Sequence, residues 1–145
     1  MDIYKHVLVA IDLHPDCDKK TINRALTIAK ENNAKFSIVH AIEHINAYGV
    51  AEAYSAVLDV EEEMLKEAKA EMTRIGEQFG IQPTSQYIEV GSPKTVIMNK
   101  AKELGADLIV VGSHGRHGIQ LLLGSTANAV LHHANCDVLA VRVEE

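Results

Sequence analysis

The sequence predicts an open, doubly wound α/β fold, a three-layer α/β/α sandwich whose five parallel strands lie in the order 3-2-1-4-5. Short, nearly continuous apolar runs alternate along the chain with segments whose apolar residues recur at helical spacing. Such alternation requires crossover connections, which place helices on both faces of a parallel sheet. A length of 145 residues is typical of one domain, so we expect residues 1–145 to form a single domain.

The first half of the chain supplies two strands and two helices. Strands are predicted at 5–11 (KHVLVAI) and 35–41 (KFSIVHA), and a turn at 13–16 leads into the first helix. The buried face of that helix is predicted to carry small or apolar residues at helical spacing, Ile22, Ala25, Leu26 and Ala29. The second helix is predicted from about Ser55 to Phe79, with an apolar stripe of Val60, Met64, Ala68, Met72, Ile75 and Phe79.

The second half supplies three strands and two helices. The mixed polar and apolar strand at 84–90 suits a sheet edge, and the very apolar strand at 107–111 suits the centre of the sheet. Between them, Ser92 and Pro93 begin a helix that Gly105 ends. A short helix from Ser125 and a fifth strand at 137–143 complete the alternation.

Composition excludes several classes of protein. The net charge is −6 and the basic residues are scattered among acids, so nucleic acid is not an expected partner. No basic and apolar leader follows Met1 and no apolar run approaches the ~20 residues of a membrane span, so we expect a cytoplasmic protein with no membrane association. Cys17 and Cys136 are expected to be reduced thiols without a chemical role.

Two polar segments are predicted to meet at the carboxyl ends of the strands, where ligands bind in open parallel sheets. Asp12 follows the first strand, and the glycine-rich segment 112–115 follows the fourth, which should be its neighbour. Glycines permit positive φ and close backbone approach, and the helix start at Gly124 offers free N–H groups and a positive dipole end that suit a phosphate. The spacing alone leaves a purely structural role for these glycines equally open.

The segments KHVLVAIDL, GSPKTVI and DLIVVGSHGRHGIQLLLGSTANAVLHHANCDVLAVRV resemble the universal stress protein family along nearly the whole chain, which implies a Rossmann-like fold. Nucleotide-binding members of that family carry the pattern G-x2-G-x9-G-[ST]. This chain matches it at Gly112, Gly115, Gly124 and Ser125, with eight residues instead of nine at 116–123. Members that do not bind ATP lack the second half of the pattern, so this chain resembles the binders.

The resemblance implies a role for each matching position. Asp12 would approach the adenine or ribose, main-chain groups near Ala10, Ile11 and Ala41 the base, and those near Val111 and Gly112 the ribose. The phosphates would lie against Gly115, Ser125 and Thr126, next to Gly124. Arg116 is a further predicted phosphate contact because its planar fork carries several donors, although a role as a solvated surface charge stays open. The implied ligand is ATP or AMP, and any magnesium or manganese would be bound through the phosphates.

The resemblance also implies a stress-response protein that works as a ligand sensor or interaction protein, with unidentified protein partners. A homodimer is expected through the fifth strand, whose Val138, Leu139, Val141 and Val143 would otherwise form an apolar edge.

The residues do not predict an enzyme. The sequence shows no nucleophile elbow, no Cys and His pair with an orienting group, and no paired carboxylates beside the glycine-rich segment. His114 and His117 lack further ligands for a transition metal, so no metal site is expected. Two other functions remain open: a dimeric interaction module that binds no nucleotide, and a slow ATPase.

Overall fold

A computed structural model describes residues 2–43, 51–114 and 124–143 of the chain. Strands and helices alternate, with five parallel strands in the order β3-β2-β1-β4-β5. The strands are β1 (His6–Ala10), β2 (Lys35–Ile42), β3 (Gln86–Val90), β4 (Leu108–His114) and β5 (Asp137–Val143). The helices are α1 (Pro15–Asn32), α2 (Ala51–Phe79), α3 (Pro93–Leu104) and α4 (Ser125–His133). The predicted fold class and strand order are confirmed.

The helices cover both faces of the sheet. Val7 and Val9 of β1 pack on one face with residues of α1 and α2, whereas Leu8 packs on the other face with residues of α3 and α4. This alternation follows from the two-residue period of a strand. Because both faces are covered, β1 and β4 have to be apolar on both sides, which explains their continuous apolar sequences.

Several predicted boundaries need correction, among them the start of α2, which lies at Ala51 rather than about Ser55. Helix α1 begins at Pro15, inside the predicted turn, because the fixed φ of proline suits the first helical position. Strand β3 begins at Gln86 rather than residue 84, since Pro83–Ser85 form a 3-10 turn. Strand β4 continues through Gly112 to His114, so Gly112 is a strand residue that pairs with Val141 and does not adopt positive φ.

The apolar stripe of α2 is only half covered. Ala68, Met72 and Ile75 are buried as predicted, but Met64 is 38% exposed and Val60 48% exposed. A helix of 29 residues is about 44 Å long, whereas the five residues of β3, on which α2 packs, span about 17 Å. The amino-terminal half of α2 therefore has too little sheet to cover it.

The boundaries of α3 match the prediction. The Ser92 hydroxyl accepts a hydrogen bond from the N–H of Thr95, Pro93 is the first helical residue, and Gly105 ends the helix at φ 68°. Lys100 of α3 is buried, contacts Glu89 of β3 at 3.1 Å and lies over the ring of Tyr87. This contact fixes α3 against the edge strand.

The amino ends of the central strands are joined by side-chain to backbone hydrogen bonds. The Asp107 carboxylate accepts from the N–H groups of Lys5 and His6, and the side-chain oxygen of Asn32 accepts from Ile3 and Tyr4. The start of β1 is therefore tied both to β4 and to the end of α1. Within the described residues, no helix is long and apolar enough to span a membrane.

Candidate functional site

The candidate site lies at the carboxyl ends of β1 and β4, which are adjacent strands as predicted. Val9 pairs with Val110, so Ala10 follows at the level of Val111. On its other side Ala10 pairs with Val39 of β2, two residues before Ala41. We call this region the carboxyl edge and define it as residues 10–14, 41 and 111–113 with the start of α4 at 124–126.

The segment after β1, which we call loop 11–14, is held by backbone hydrogen bonds to a single side chain. The two oxygens of the Asp18 carboxylate accept from the N–H of Asp12 at 3.0 Å and from the N–H of His14 at 2.9 Å. Between these two residues Leu13 has φ 63°, in the left-handed region that a branched side chain rarely adopts. Asp18 thereby fixes a strained turn that presents Asp12 at the surface.

Asp18 is an unusual carboxylate, because it is only 4% exposed. Burial raises its pKa to about 6, and the Asp12 carboxylate adds to the increase. The hydrogen bonds from Asp12 and His14 and the nearby His40 act in the opposite direction but do not offset the loss of water. Asp18 is thus ionised at neutral pH and takes up a proton in mild acid.

The first residue of the loop is anchored on strand β2. The N–H of Ile11 donates to the carbonyl of Val39 at 2.9 Å. Nδ1 of His40 lies 2.7 Å from the carbonyl oxygen of Ile11, and since a carbonyl only accepts, this nitrogen carries the proton. The polar groups of Ile11 are therefore satisfied within the protein, and its side chain is buried.

On the β4 side, the edge is formed by a regular strand. Val111 is buried and Gly112 is half-buried, and they pair with Ala140 and Val141 of β5. Ser113, which is also buried, follows within the strand. Gly112 provides a position without a side chain beside loop 11–14, where a flat group can approach the backbone.

The third part of the edge is the amino terminus of α4. Gly124 precedes the helix at φ 82° and ψ 151°, a conformation that suits glycine, and as the N-cap residue it has no side chain to cap the helix. Ser125 is exposed and Thr126 is half-buried, and their N–H groups belong to the first turn, which has no intrahelical acceptors. Gly115 and Arg116, the remaining predicted phosphate contacts, lie outside the described residues.

Sequence reasoning proposed Asp12, Gly112 and Ser125 as site residues, which stay predictions, but did not single out Asp18 and His40, which hold loop 11–14. A signal for Asp18 was present: it occupies the helical stripe that continues through Ile22 and Ala25, both fully buried. A carboxylate at a core position one turn into a helix has to have backbone donors within reach, because an unpaired buried charge is very costly. No comparable signal marks His40, whose role depends on the register of β1 against β2.

The main-chain N–H groups at the start of α4 are hydrogen-bond donors of the kind that suit an anion. Among the described residues, no cluster of three or more His, Cys, Asp or Glu side chains is arranged to bind a metal. The side chain of His114 and the whole of His117 lie outside that set, so the prediction for this pair stays a prediction.

Comparison with known proteins gives the family. The model of the universal stress protein family matches residues 3–142. The universal stress protein A homolog 2 of Coxiella burnetii is 49% identical over 144 residues, which cover 99% of each chain. Among solved structures, the universal stress protein UspA of Lactobacillus plantarum has a TM-score of 0.80 and 25% identity, covering 96% of this chain and 98% of that one.

A second solved structure is described as a universal stress protein in complex with cAMP. It is 32% identical to this chain, has a TM-score of 0.60, and the alignment covers 95% of this chain and 96% of the other. With a family match over nearly its whole length, the chain belongs to the universal stress protein family.

Proposed function

We propose that the chain binds an adenine nucleotide, ATP or AMP, at the carboxyl edge and acts in the stress response as a ligand-sensing or interaction protein. The observation that carries the proposal is the occurrence of three features at one edge: the fixed Asp12 loop, the glycine backbone at Gly112 and the start of α4 after the N-cap glycine Gly124. In a parallel sheet this edge, next to the point where strand order reverses, is the usual position of a nucleotide. The solved relative with cAMP supports an adenine ligand.

The roles of the two ends of the site follow from their chemistry. Asp12 is a hydrogen-bond acceptor for the hydroxyl or amino groups of a nucleoside, with the half-buried Ala10 and Ala41 forming the adjacent surface. Ile11 and Val111 have buried side chains and would contribute through their main chain only. The α4 start at Gly124, Ser125 and Thr126 offers N–H donors and a helix dipole to the phosphates, assisted by Gly115 and Arg116. Magnesium or manganese would arrive bound to the phosphates.

Calorimetric titration of ATP, ADP, AMP and adenosine tests the proposal. We expect the nucleotides to bind, and no binding at about millimolar concentration with divalent metal present would contradict the proposal. In that case the chain is better described as an interaction module without nucleotide.

A pair of charge variants locates the phosphates. Ser125→Glu adds a negative charge in the first turn of α4, which suits the helix dipole but repels a phosphate. Thr95→Glu makes the same change in the first turn of α3 and serves as the matched control. We expect Ser125→Glu to abolish binding of ATP and AMP while keeping that of adenosine, and Thr95→Glu to change neither. Equal effects of both variants would place the phosphates elsewhere.

The proposal includes a homodimer through β5. This strand is one edge of the described sheet, but Val141 and Val143 are buried within the chain, so they do not form the exposed apolar edge expected from sequence. The pairing surface that remains is the free backbone edge together with the half-buried Val138 and Leu139.

Sedimentation tests the dimer. A dimer is expected at tens of micromolar, about the range of ordinary homodimer affinities. Val138→Lys should weaken it, whereas Ile3→Lys, at a position that is 67% exposed, should not. A monomer for the unmodified protein at this concentration would refute the assembly.

A further inference from the structure

Asp18 is buried beneath loop 11–14 and is not expected to touch a ligand itself. Among the residues whose side chains the structure describes, it is the only buried carboxylate. Its two oxygens both accept from loop 11–14, and its own N–H donates to the carbonyl of His14 at 2.9 Å. Three hydrogen bonds thus join one residue of α1 to the loop that carries Asp12.

We infer that Asp18 is a positioning residue that keeps loop 11–14 in its ligand-ready conformation only while it is ionised, so that nucleotide affinity falls when Asp18 takes up a proton. This inference rests on the nucleotide site proposed above and adds its regulation by pH.

The hydrogen-bond geometry requires the charged form. A carboxylate accepts on both oxygens, so it satisfies the N–H groups of Asp12 and His14 at once. When one oxygen is protonated it becomes a hydroxyl, which accepts weakly and has a hydrogen of its own to donate. Both N–H groups then lose a charged acceptor, one of them faces a hydroxyl, and the left-handed turn at Leu13 loses part of what stabilises it.

The groups around Asp18 set the pH at which it takes up a proton. Burial among the residues of α1 raises its pKa to about 6, and the Asp12 carboxylate of the loop adds to the increase. On the other side, the His40 imidazole of β2 favours the ionised form. A nucleotide phosphate at the same edge would add negative charge and favour the protonated form of Asp18, so the expected fall in affinity comes from the loss of the hydrogen bonds to loop 11–14 and not from charge.

The test compares AMP and ATP binding by the full chain and by Asp18→Asn between pH 7 and pH 5. The ionised fraction of a group with a pKa of about 6 falls about tenfold over this range, so wild-type affinity should fall by about tenfold. Asp18→Asn should bind more weakly at pH 7 and lack this fall. Titration of the ligand phosphates affects wild type and Asp18→Asn equally, so the ratio of their two Kd values at each pH does not contain this effect. Glu31→Gln, an exposed acid of the same helix, should keep the wild-type profile.

A second measurement needs no ligand and no variant. In the free wild-type protein, the backbone amide resonances of Asp12 and His14 should titrate together with a midpoint near pH 6, because both N–H groups donate to Asp18. This measurement decides the inference if Asp18→Asn does not fold.

The possible results separate the two proposals. If no nucleotide binds either protein at any pH, the proposed function fails. If both bind with the same pH profile and affinity, the role of Asp18 is refuted while the nucleotide site stands. If the two amides do not titrate, the role of Asp18 is refuted whatever the binding shows.

Discussion

Asp107 and Asp18 lie at opposite ends of β1 and make the same kind of contact in different surroundings. Asp107 accepts from two successive backbone N–H groups at the start of the strand, those of Lys5 and His6. Asp18 accepts from two backbone N–H groups just beyond its end, those of Asp12 and His14. Asp107 is half-exposed, whereas Asp18 is almost fully buried.

This difference in burial reverses the direction of the pKa shift. For Asp107, desolvation raises the pKa, but the hydrogen bonds from His6, Lys5 and its own N–H together lower it below the usual value. For Asp18, desolvation exceeds the same kind of hydrogen bonding, and the pKa rises to about 6. The amino end of β1 therefore gains stability from an ionised aspartate, while the carboxyl edge retains one at a cost in stability. Such a cost is typical of functional positions.

The largest expected effect is on the pH dependence of folding. The folded-state pKa of Asp18 lies above its unfolded value of 3.8, so Asp18 contributes stability that grows as pH falls from above 6 to below 3.8. The total contribution is about 3 kcal/mol at 1.36 kcal/mol per pKa unit. We expect the free energy of unfolding of wild type minus that of Asp18→Asn to rise by this amount on acidification. Urea unfolding at several pH values measures it.

We follow the difference in the free energy of unfolding between wild type and Asp18→Asn, because His6 also makes this free energy depend on pH. Burial lowers the pKa of His6, so its contribution is lost as pH falls through the usual histidine range, opposite in sign to that of Asp18. Both proteins contain His6, and subtraction removes it. If this difference in the free energy of unfolding does not change with pH, the pKa of Asp18 is not raised, and the two ends of β1 do not differ in this respect.

A smaller effect is expected at the amino end. Asp107→Ala removes the acceptor for two backbone N–H groups and should destabilise the protein by about 2 kcal/mol at pH 7. The effect is limited because water can reach part of the space left by the side chain and accept from these N–H groups. Asp107→Asn keeps one acceptor and should cost less. Nucleotide affinity, measured by calorimetry on both variants, should not change. A loss of affinity would show that the two ends of β1 are coupled.

Features of the fold that depend on local pattern could be predicted from the sequence, whereas those that depend on the extent of the sheet could not. Apolar runs and caps predict the strands and the limits of α3, and the usual order of doubly wound sheets predicts the strand order. The glycine at 112 favours a loop because glycine usually marks a turn, but pairing with Val141 extends β4 past it. Val60 and Met64 belong to the predicted apolar stripe of α2 but are exposed, because periodicity does not reveal where the sheet ends.

The smallest predicted effect concerns a buried neutral pair near the amino end. Nε2 of His6 lies 2.8 Å from the hydroxyl of Ser37 on β2, and both residues are buried. Ser37→Ala leaves the ring nitrogen without this partner and should destabilise the protein by about 1 kcal/mol, with no change in nucleotide affinity. Ser92→Ala at the exposed start of α3 removes two hydrogen bonds with Thr95, one donated to its hydroxyl at 2.9 Å and one accepted from its N–H at 3.4 Å, and serves as a comparison. Because the His6 and Ser37 pair is shielded from water, we expect Ser37→Ala to cost at least as much as Ser92→Ala in chemical denaturation. The reverse order would mean that burial adds little to hydrogen bonds at this end of the sheet.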